Sequence, residues 1–237
     1  WVAHSGGGTN PIQYVTTSLT MPSYVSSSIA GSATFTSSGE DDNRTFTSQS
    51  TGPLYYAALV NLSYATSTGD YFMHFKNAST GFAARLFARD SVGALQFGIG
   101  TSGTPVWGTT NYAYNTTYLV VAKHDMSTGA SVVYILDSCV STEPTTPLAS
   151  ATGTAVTPLV GVAIRQGAAT TAATGVVDGI RVATNWADAA TCFVPPPLLN
   201  ENFSYGGSTG NLTAVSGGLW VAHSGGGTNP IQYVTTS

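Results

Sequence analysis

Apolar and polar residues alternate with a period of two through most of the chain, and the 3.6-residue period of an amphipathic helix is almost absent. In YYAALVNLSY, Tyr56, Ala58, Val60, Leu62 and Tyr64 fall on one face of a strand, with Asn61 and Ser63 on the other. FAARLFARD puts Phe82, Ala84, Leu86 and Ala88 on one face and points Arg85 and Arg89 outward. LQFGIG groups Leu95, Phe97 and Ile99, and the rhythm continues through YLVVAKHD, SVVYILD, LVGVAIRQ and VVDGIRVA to Ala183. Between these runs stand turn clusters such as STGD, TSGTP and DMSTGA, rich in the residues that reverse a chain. About ten or more short strands without intervening helices predict an all-β fold of antiparallel sheets packed as a sandwich.

One stretch occurs twice. WVAHSGGGTNPIQYVTTS stands at residues 1–18 and again, unchanged, at 220–237, an offset of 219 residues. That spacing is too long for a solenoid and suits a whole all-β domain. The identity extends to Ser, Thr, Gly and Asn letters that a hydrophobic pattern does not demand, which points to a recent duplication or a tandem array. The sharpest boundary is FVPPPLLNENF, where Pro195, Pro196 and Pro197 cannot sit in a central strand and form a short, stiff linker. The expected organisation is a frame-shifted window on one repeat of about 219 residues. Residues 1–194 are most of one sandwich lacking its first strand. Residues 198–237 are the early part of the next repeat, or the strand that completes a neighbouring domain.

Charged residues make up 8% of the chain, while Ser and Thr supply about a quarter, so the surface is built of hydroxyls and glycine. Such surfaces are common in exported proteins and in subunits that associate. The seven Lys and Arg are scattered and the net charge is −4, which argues against a nucleic-acid partner. No run approaches eighteen apolar residues, so no membrane insertion is expected; an export signal would lie upstream of Trp1. Cys139 and Cys192 fit either one disulfide in an oxidising compartment or two buried thiols.

The strand pair YLVVAKHD and STGASVVYIL, followed by VDGIRVATNW, resembles the closing strands of concanavalin A-like, laminin-G-like jelly-roll domains. LLNENF resembles the opening strand of such domains in large secreted bacterial surface proteins, and GEDDNRTFTSQ with GPLYYAALVNLS recurs in the same style. The resemblance implies a jelly-roll sandwich in which the first strand lies beside the last, so that Leu198, Leu199, Asn200, Glu201, Asn202 and Phe203 would run along VVDGIRVA. It specifies a fold better than an activity, since the architecture hosts lectins, hydrolases and structural modules.

Candidate chemistry is sparse. A retaining glycosidase needs two carboxylates about 5 Å apart, and no Glu-x-Asp-x-x-Glu spacing is present. Glu40, Asp41 and Asp42 form the one acidic cluster. Asp41 and Asp42 are weak calcium candidates beside Arg44, calcium being the one cofactor to consider, and a solvated turn is the favoured reading. His4, His74, His124 and His223 are scattered, with no zinc-ligand spacing. SGGGTNP lacks the Lys-Ser/Thr ending of a phosphate loop and reads as a plain turn. Trp1, Trp107, Tyr112, Tyr114 and Trp186 offer either a sugar-stacking platform or core filling, the latter favoured. Sequons at Asn43, Asn61, Asn77, Asn115, Asn202 and Asn211 are what a Ser- and Thr-rich chain produces by chance.

The expectation is a non-enzymatic structural subunit of an extracellular filament or surface layer, built from tandem or strand-exchanged copies of itself. The alternative is a repeated adhesin or carbohydrate-binding module whose partners are glycans.

Overall fold

The computed structural model describes residues 1–193, 209–217, 219–221, 228–229 and 231–234. Two compact units are present, Trp1–Val194 and Pro195–Ser237. The expected linker Pro195–Pro197 and the segment Leu198–Phe203 lie outside the described residues.

The first unit holds fourteen strands and one short helix. They are β1 (Val2–Ser5), β2 (Gln13–Val15), β3 (Ser32–Phe35), β4 (Asp41–Gln49), β5 (Pro53–Tyr64), β6 (Asp70–Lys76) and β7 (Phe82–Ser91), then β8 (Ala94–Gly100), β9 (Val106–Trp107), β10 (Thr117–Asp125), β11 (Ala130–Leu136), β12 (Ala149–Thr152), β13 (Leu159–Ile164) and β14 (Thr174–Ala183), with α1 (Trp186–Ala189) last. They form two seven-stranded antiparallel sheets. Sheet A runs β1-β4-β13-β6-β7-β8-β9, and sheet B runs β12-β11-β10-β5-β14-β3-β2. The fold is an all-β sandwich of two packed antiparallel sheets. In the second unit, β15 (Gly210–Asn211) pairs with β16 (Gln232–Tyr233), and α2 (Leu212–Val215) follows β15.

The main core fills the space between the sheets, with Tyr56, Ala58, Val60 and Leu62 of β5 facing Phe72, Phe75, Leu86 and Phe97 of sheet A. Tyr64, predicted on the same face, stands past the core edge and is exposed. The opposite face of β5 is also apolar. Tyr55, Ala57 and Leu59, with Leu119, Val121 and Tyr134, pack into a second cluster under Met21, Tyr24 and Trp186. The outer face of sheet B is therefore covered by a third layer, made from α1 and the segments around residues 19–28 and 136–143. Asn185 caps α1, its side chain accepting from the Asp188 amide at 2.9 Å. The Trp186 indole donates to the Val140 carbonyl at 3.0 Å. Glu143 accepts from Lys123, Tyr55 and Tyr134 at 2.6, 2.8 and 2.7 Å. Burial raises the Glu143 pKa, but these three donors outweigh it and hold the carboxyl below its ordinary value. Cys139 and Cys192 are joined, with Cα atoms 5.7 Å apart, closing this layer.

β14 has β5 on one side and, over Gly175–Val177, β3 on the other. Ser32–Phe35 therefore pairs with the start of the strand along which Leu198–Phe203 is expected, and those residues lie outside the described ones. Beyond that pairing the Tyr24 hydroxyl donates to the Gly179 carbonyl at 2.7 Å, and the Leu19 amide donates to Asp178 at 2.8 Å. Residues 1–18, expected to belong to a domain missing its first strand, supply the outermost strand of both sheets, β1 in sheet A and β2 in sheet B.

The Cys139–Cys192 link spans 53 residues, and chain-entropy reasoning gives such a loop about 4 kcal/mol. The double variant Cys139→Ser/Cys192→Ser is expected to lose roughly 2–4 kcal/mol in denaturant unfolding, while non-reducing peptide mapping of the parent chain recovers the linked peptides.

Candidate functional site

With sheet B covered, the outer face of sheet A is the open face of the sandwich, and it gathers four of the seven basic residues. Lys76, Arg85, Arg89 and Arg165 all project from it. Two irregularities in the pairing of β6 with β7 build this surface. Ala83 pairs with Phe75 and Leu86 with Met73, so Ala84 and Arg85 together oppose His74. Ala84 takes the left-handed conformation, φ 45°, that such a bulge requires. One step along, Phe72 is the extra residue on β6, between the pairs Tyr71–Phe87 and Met73–Leu86. Each bulge turns a pair of residues three apart onto the same outer face: Tyr71 with His74, and Phe82 with Arg85. Simple alternation assigns Phe82 to the core, and the bulge at Ala84 moves it out.

The guanidinium groups lie on aromatic rings. Arg165 sits 4.1 Å from the Tyr71 ring centre and Arg85 sits 5.0 Å from the same ring, with Phe82 at 5.4 Å on the Arg85 side. Arg89 is 4.4 Å from Trp107. Gly98 lets Trp107 lie flat on the sheet, because a Cβ there would meet the indole at 2.8 Å. Arg89 also donates twice to the Gln96 carbonyl oxygen, at 3.1 and 2.9 Å. Arg165 donates to Asp70 at 2.9 Å and lies 3.9 Å from Asp41. Arg85 has no carboxylate partner among the described residues, and its buried Nε has no hydrogen-bond acceptor.

His4 and His74, scattered in the sequence, meet here with ring centres 5.7 Å apart. β1 and β6 are three strand spacings apart, about 14 Å in a flat sheet, so the face must curl and His4 must reach across β4 and β13. The break in pairing between Ala3 and Ser5 places His4 at an irregular position suited to that reach. His74 is fully buried, and its Nδ1 lies 3.0 Å from the Phe75 carbonyl, to which it must donate. Burial pushes its pKa down to about 3, only partly opposed by that hydrogen bond, while His4, Arg85 and Arg165 push it lower still. Burial lowers His4 as well, against the pull of Asp41.

Asp41 and Asp42 point to opposite faces of β4. Strand alternation sends Asp41 to the outer face, where it accepts from the Gln166 amide at 2.8 Å and the Ser5 hydroxyl at 2.7 Å. Asp42 faces the other way, into a cavity of about 520 Å³ lined by Trp1, Ile12, Tyr14, Arg44 and Phe46 among others. Among the described residues no three His, Cys, Asp or Glu side chains are grouped to hold a metal. The carboxylates beside Arg165 are both engaged, Asp70 also by the Tyr71 amide at 2.8 Å and Thr171 at 3.0 Å. The five candidate aromatics do not form one platform. Trp107 joins the outer face, Trp1 lines the cavity, Tyr112 packs edge-on against Phe97, Tyr114 donates to Asp90, and Trp186 is buried under the third layer. His124 is a buried structural group, 2.9 Å from the Ser131 hydroxyl and accepting from the Val156 amide at 3.3 Å. His223 lies outside the described residues. No helix among those residues is long and apolar enough to cross a membrane.

No family model matches the chain, and no curated protein sequence matches it. Solved structures of similar fold include a sialidase (12% identity, TM-score 0.48, 67% of this chain and 16% of that one) and the cellulose induced protein Cip1 (13%, TM-score 0.46, 76% and 90%). A third is domain 4 of AbnA, an extracellular arabinanase from Geobacillus stearothermophilus, solved with arabinotriose (14%, TM-score 0.41, 75% and 84%). The chain spans about a sixth of that sialidase. At these identities the likeness concerns fold alone.

Because the folded His74 pKa lies near 3 against 6.5 for the free side chain, the unfolded chain takes up the proton first. Its contribution to stability is complete above pH 6.5 and is lost as pH falls toward 3. Denaturant unfolding measured across that range is expected to show this slope, and His74→Phe is expected to flatten it.

Proposed function

We propose that the first unit is a secreted carbohydrate-binding module that takes carboxylate-bearing saccharides on the outer face of sheet A. One observation carries this reading: Arg85 is clamped against two aromatic rings, with no acid beside it, on the open face of a chain otherwise poor in charge. The Arg85 side chain is partly buried with its Nε unpaired and no counter-ion among the described residues, a cost that ring contact offsets only in part. A ligand carboxylate matches its fork geometry. Tyr71 and Phe82, partly exposed beside it, supply apolar surface for a sugar ring. The low charge and the Cys139–Cys192 link support an extracellular setting.

Affinity electrophoresis against polygalacturonate, dextran sulfate and neutral dextran tests the proposal. Retardation is expected with polygalacturonate and not with neutral dextran. Arg85→Ala should weaken it about tenfold or more, the worth of a hydrogen bond to a charged group. Retardation by dextran sulfate alone would replace the carboxylate with sulfate. Equal retardation by neutral dextran would remove Arg85 from the role.

A second reading, a structural subunit of an extracellular array, is supported by the exact repeat at an offset of 219 residues. Electron microscopy of native material is expected to show filaments with an axial period of one domain, whereas discrete particles would leave the binding module alone.

A further inference from the structure

Residues 1–18 behave in the first unit as a seated segment joined to the body at Leu19. They line the edges of both sheets, β1 pairing with β4 and β2 with β3. Their polar residues are held by the body. Asn43 donates to the Val2 carbonyl at 2.9 Å, the Gly8 amide to Glu40 at 2.6 Å, and Asn10 to the Ser37 carbonyl at 2.9 Å. The Gly31 amide donates to Ser18 at 2.7 Å. Most of these side chains are solvent-exposed, and one apolar anchor, Ile12, packs against the main core.

The second copy carries the same letters in a different setting. Gln13 and Tyr14 pair with the sheet through Thr34 and Ala33, whereas their equivalents Gln232 and Tyr233 pair with the two-residue strand Asn211 and Gly210. The anchor differs most. Ile231, the equivalent of packed Ile12, is 75% exposed, whereas Val2 and its equivalent Val221 are exposed in both copies. An apolar anchor left in water, in a segment whose sequence fits the seat on the first unit, is a stored driving force for exchange.

We propose that residues 220–237 of one chain replace residues 1–18 on a second copy, entering as the edge strand of both sheets at once. This deepens the array reading by naming the contact between copies. It leaves the glycan site as a separate matter. The two occupants make identical contacts, so the exchange is close to neutral and is decided by mass action and by burial of Ile231. The resident copy has the advantage of its covalent attachment at Leu19, so the parent chain favours its own segment when dilute. Weakening the resident anchor should tip the balance.

Because the copies are identical, the test has a built-in control. In the full chain, Ile12→Asp spoils the resident and Ile231→Asp spoils the donor by the same chemistry. Light scattering across a concentration series is expected to give Ile12→Asp a particle mass at least about twice that of one chain, rising with concentration. Ile231→Asp should remain at the mass of one chain. The double variant should also remain there, and unfold at lower denaturant. An excess of the synthetic peptide WVAHSGGGTNPIQYVTTS should return Ile12→Asp to single chains with peptide bound. Ile12→Ala and Ile231→Ala repeat the comparison with milder damage, in the same order. The proposal is overturned if Ile12→Asp and Ile12→Ala stay monomeric at every concentration, if the Ile231 variants associate equally, or if the peptide neither binds nor dissociates the particles. Filaments that persist in native material after such a result would leave an array of tandem beads standing without exchange.

Discussion

The whole architecture depends on β5 being apolar on both faces. A strand of a two-layer sandwich needs one buried face, and Tyr56, Ala58, Val60 and Leu62 satisfy that need between the sheets. Tyr55, Ala57 and Leu59 on the other face create a second demand, which the segments around residues 19–28 and 136–143 and the helix at Trp186 meet. Fixing those segments over sheet B uses the Cys139–Cys192 bond and the Glu143 network. What remains open is the outer face of sheet A. Covering one face thus decides which surface of the molecule can meet a ligand.

The fold class was readable because alternation is the direct imprint of a pleated, half-buried strand. The third layer was also readable in principle: LYYAALV is a continuous apolar run rather than an alternating one, and such runs belong to strands buried on both sides. The candidate site was not readable. Its residues come from β1, β6, β7, β9 and the residue that follows β13, and their meeting depends on two bulges that shift the pleat by one residue. No residue near Phe72 or Ala84 announces a bulge, since Ala84 adopts its left-handed backbone without being glycine. Counting by twos therefore sends Phe82 to the core and keeps His74 apart from His4. The acidic triplet divides for the opposite reason: within a regular strand, neighbours such as Asp41 and Asp42 face opposite ways.

The site is also unusual in how it holds charge. Two guanidinium groups share the ring of Tyr71, and only the one from Arg165 is neutralised by carboxylates. Ring contacts do for Arg85 the positioning that ion pairs do elsewhere, so in the proposed role the cation would be placed before a ligand arrives. Preorganisation of that kind lowers the ordering cost of binding.

The eighteen-residue segment has a hereditary consequence. Its Ser and Asn letters would be free to drift on an ordinary surface loop, yet the side chains of Ser5, Asn10 and Ser18 each satisfy a specific partner in the body. A sequence that must fit that seat is constrained at polar positions as tightly as at Ile12. Any duplicate selected to occupy the seat inherits the full set of restraints, and a substitution tolerated in one copy but not by the seat would be purged from both. Letter-for-letter identity of two eighteen-residue copies set 219 residues apart is then a condition of fit, and it carries no information about when the duplication took place.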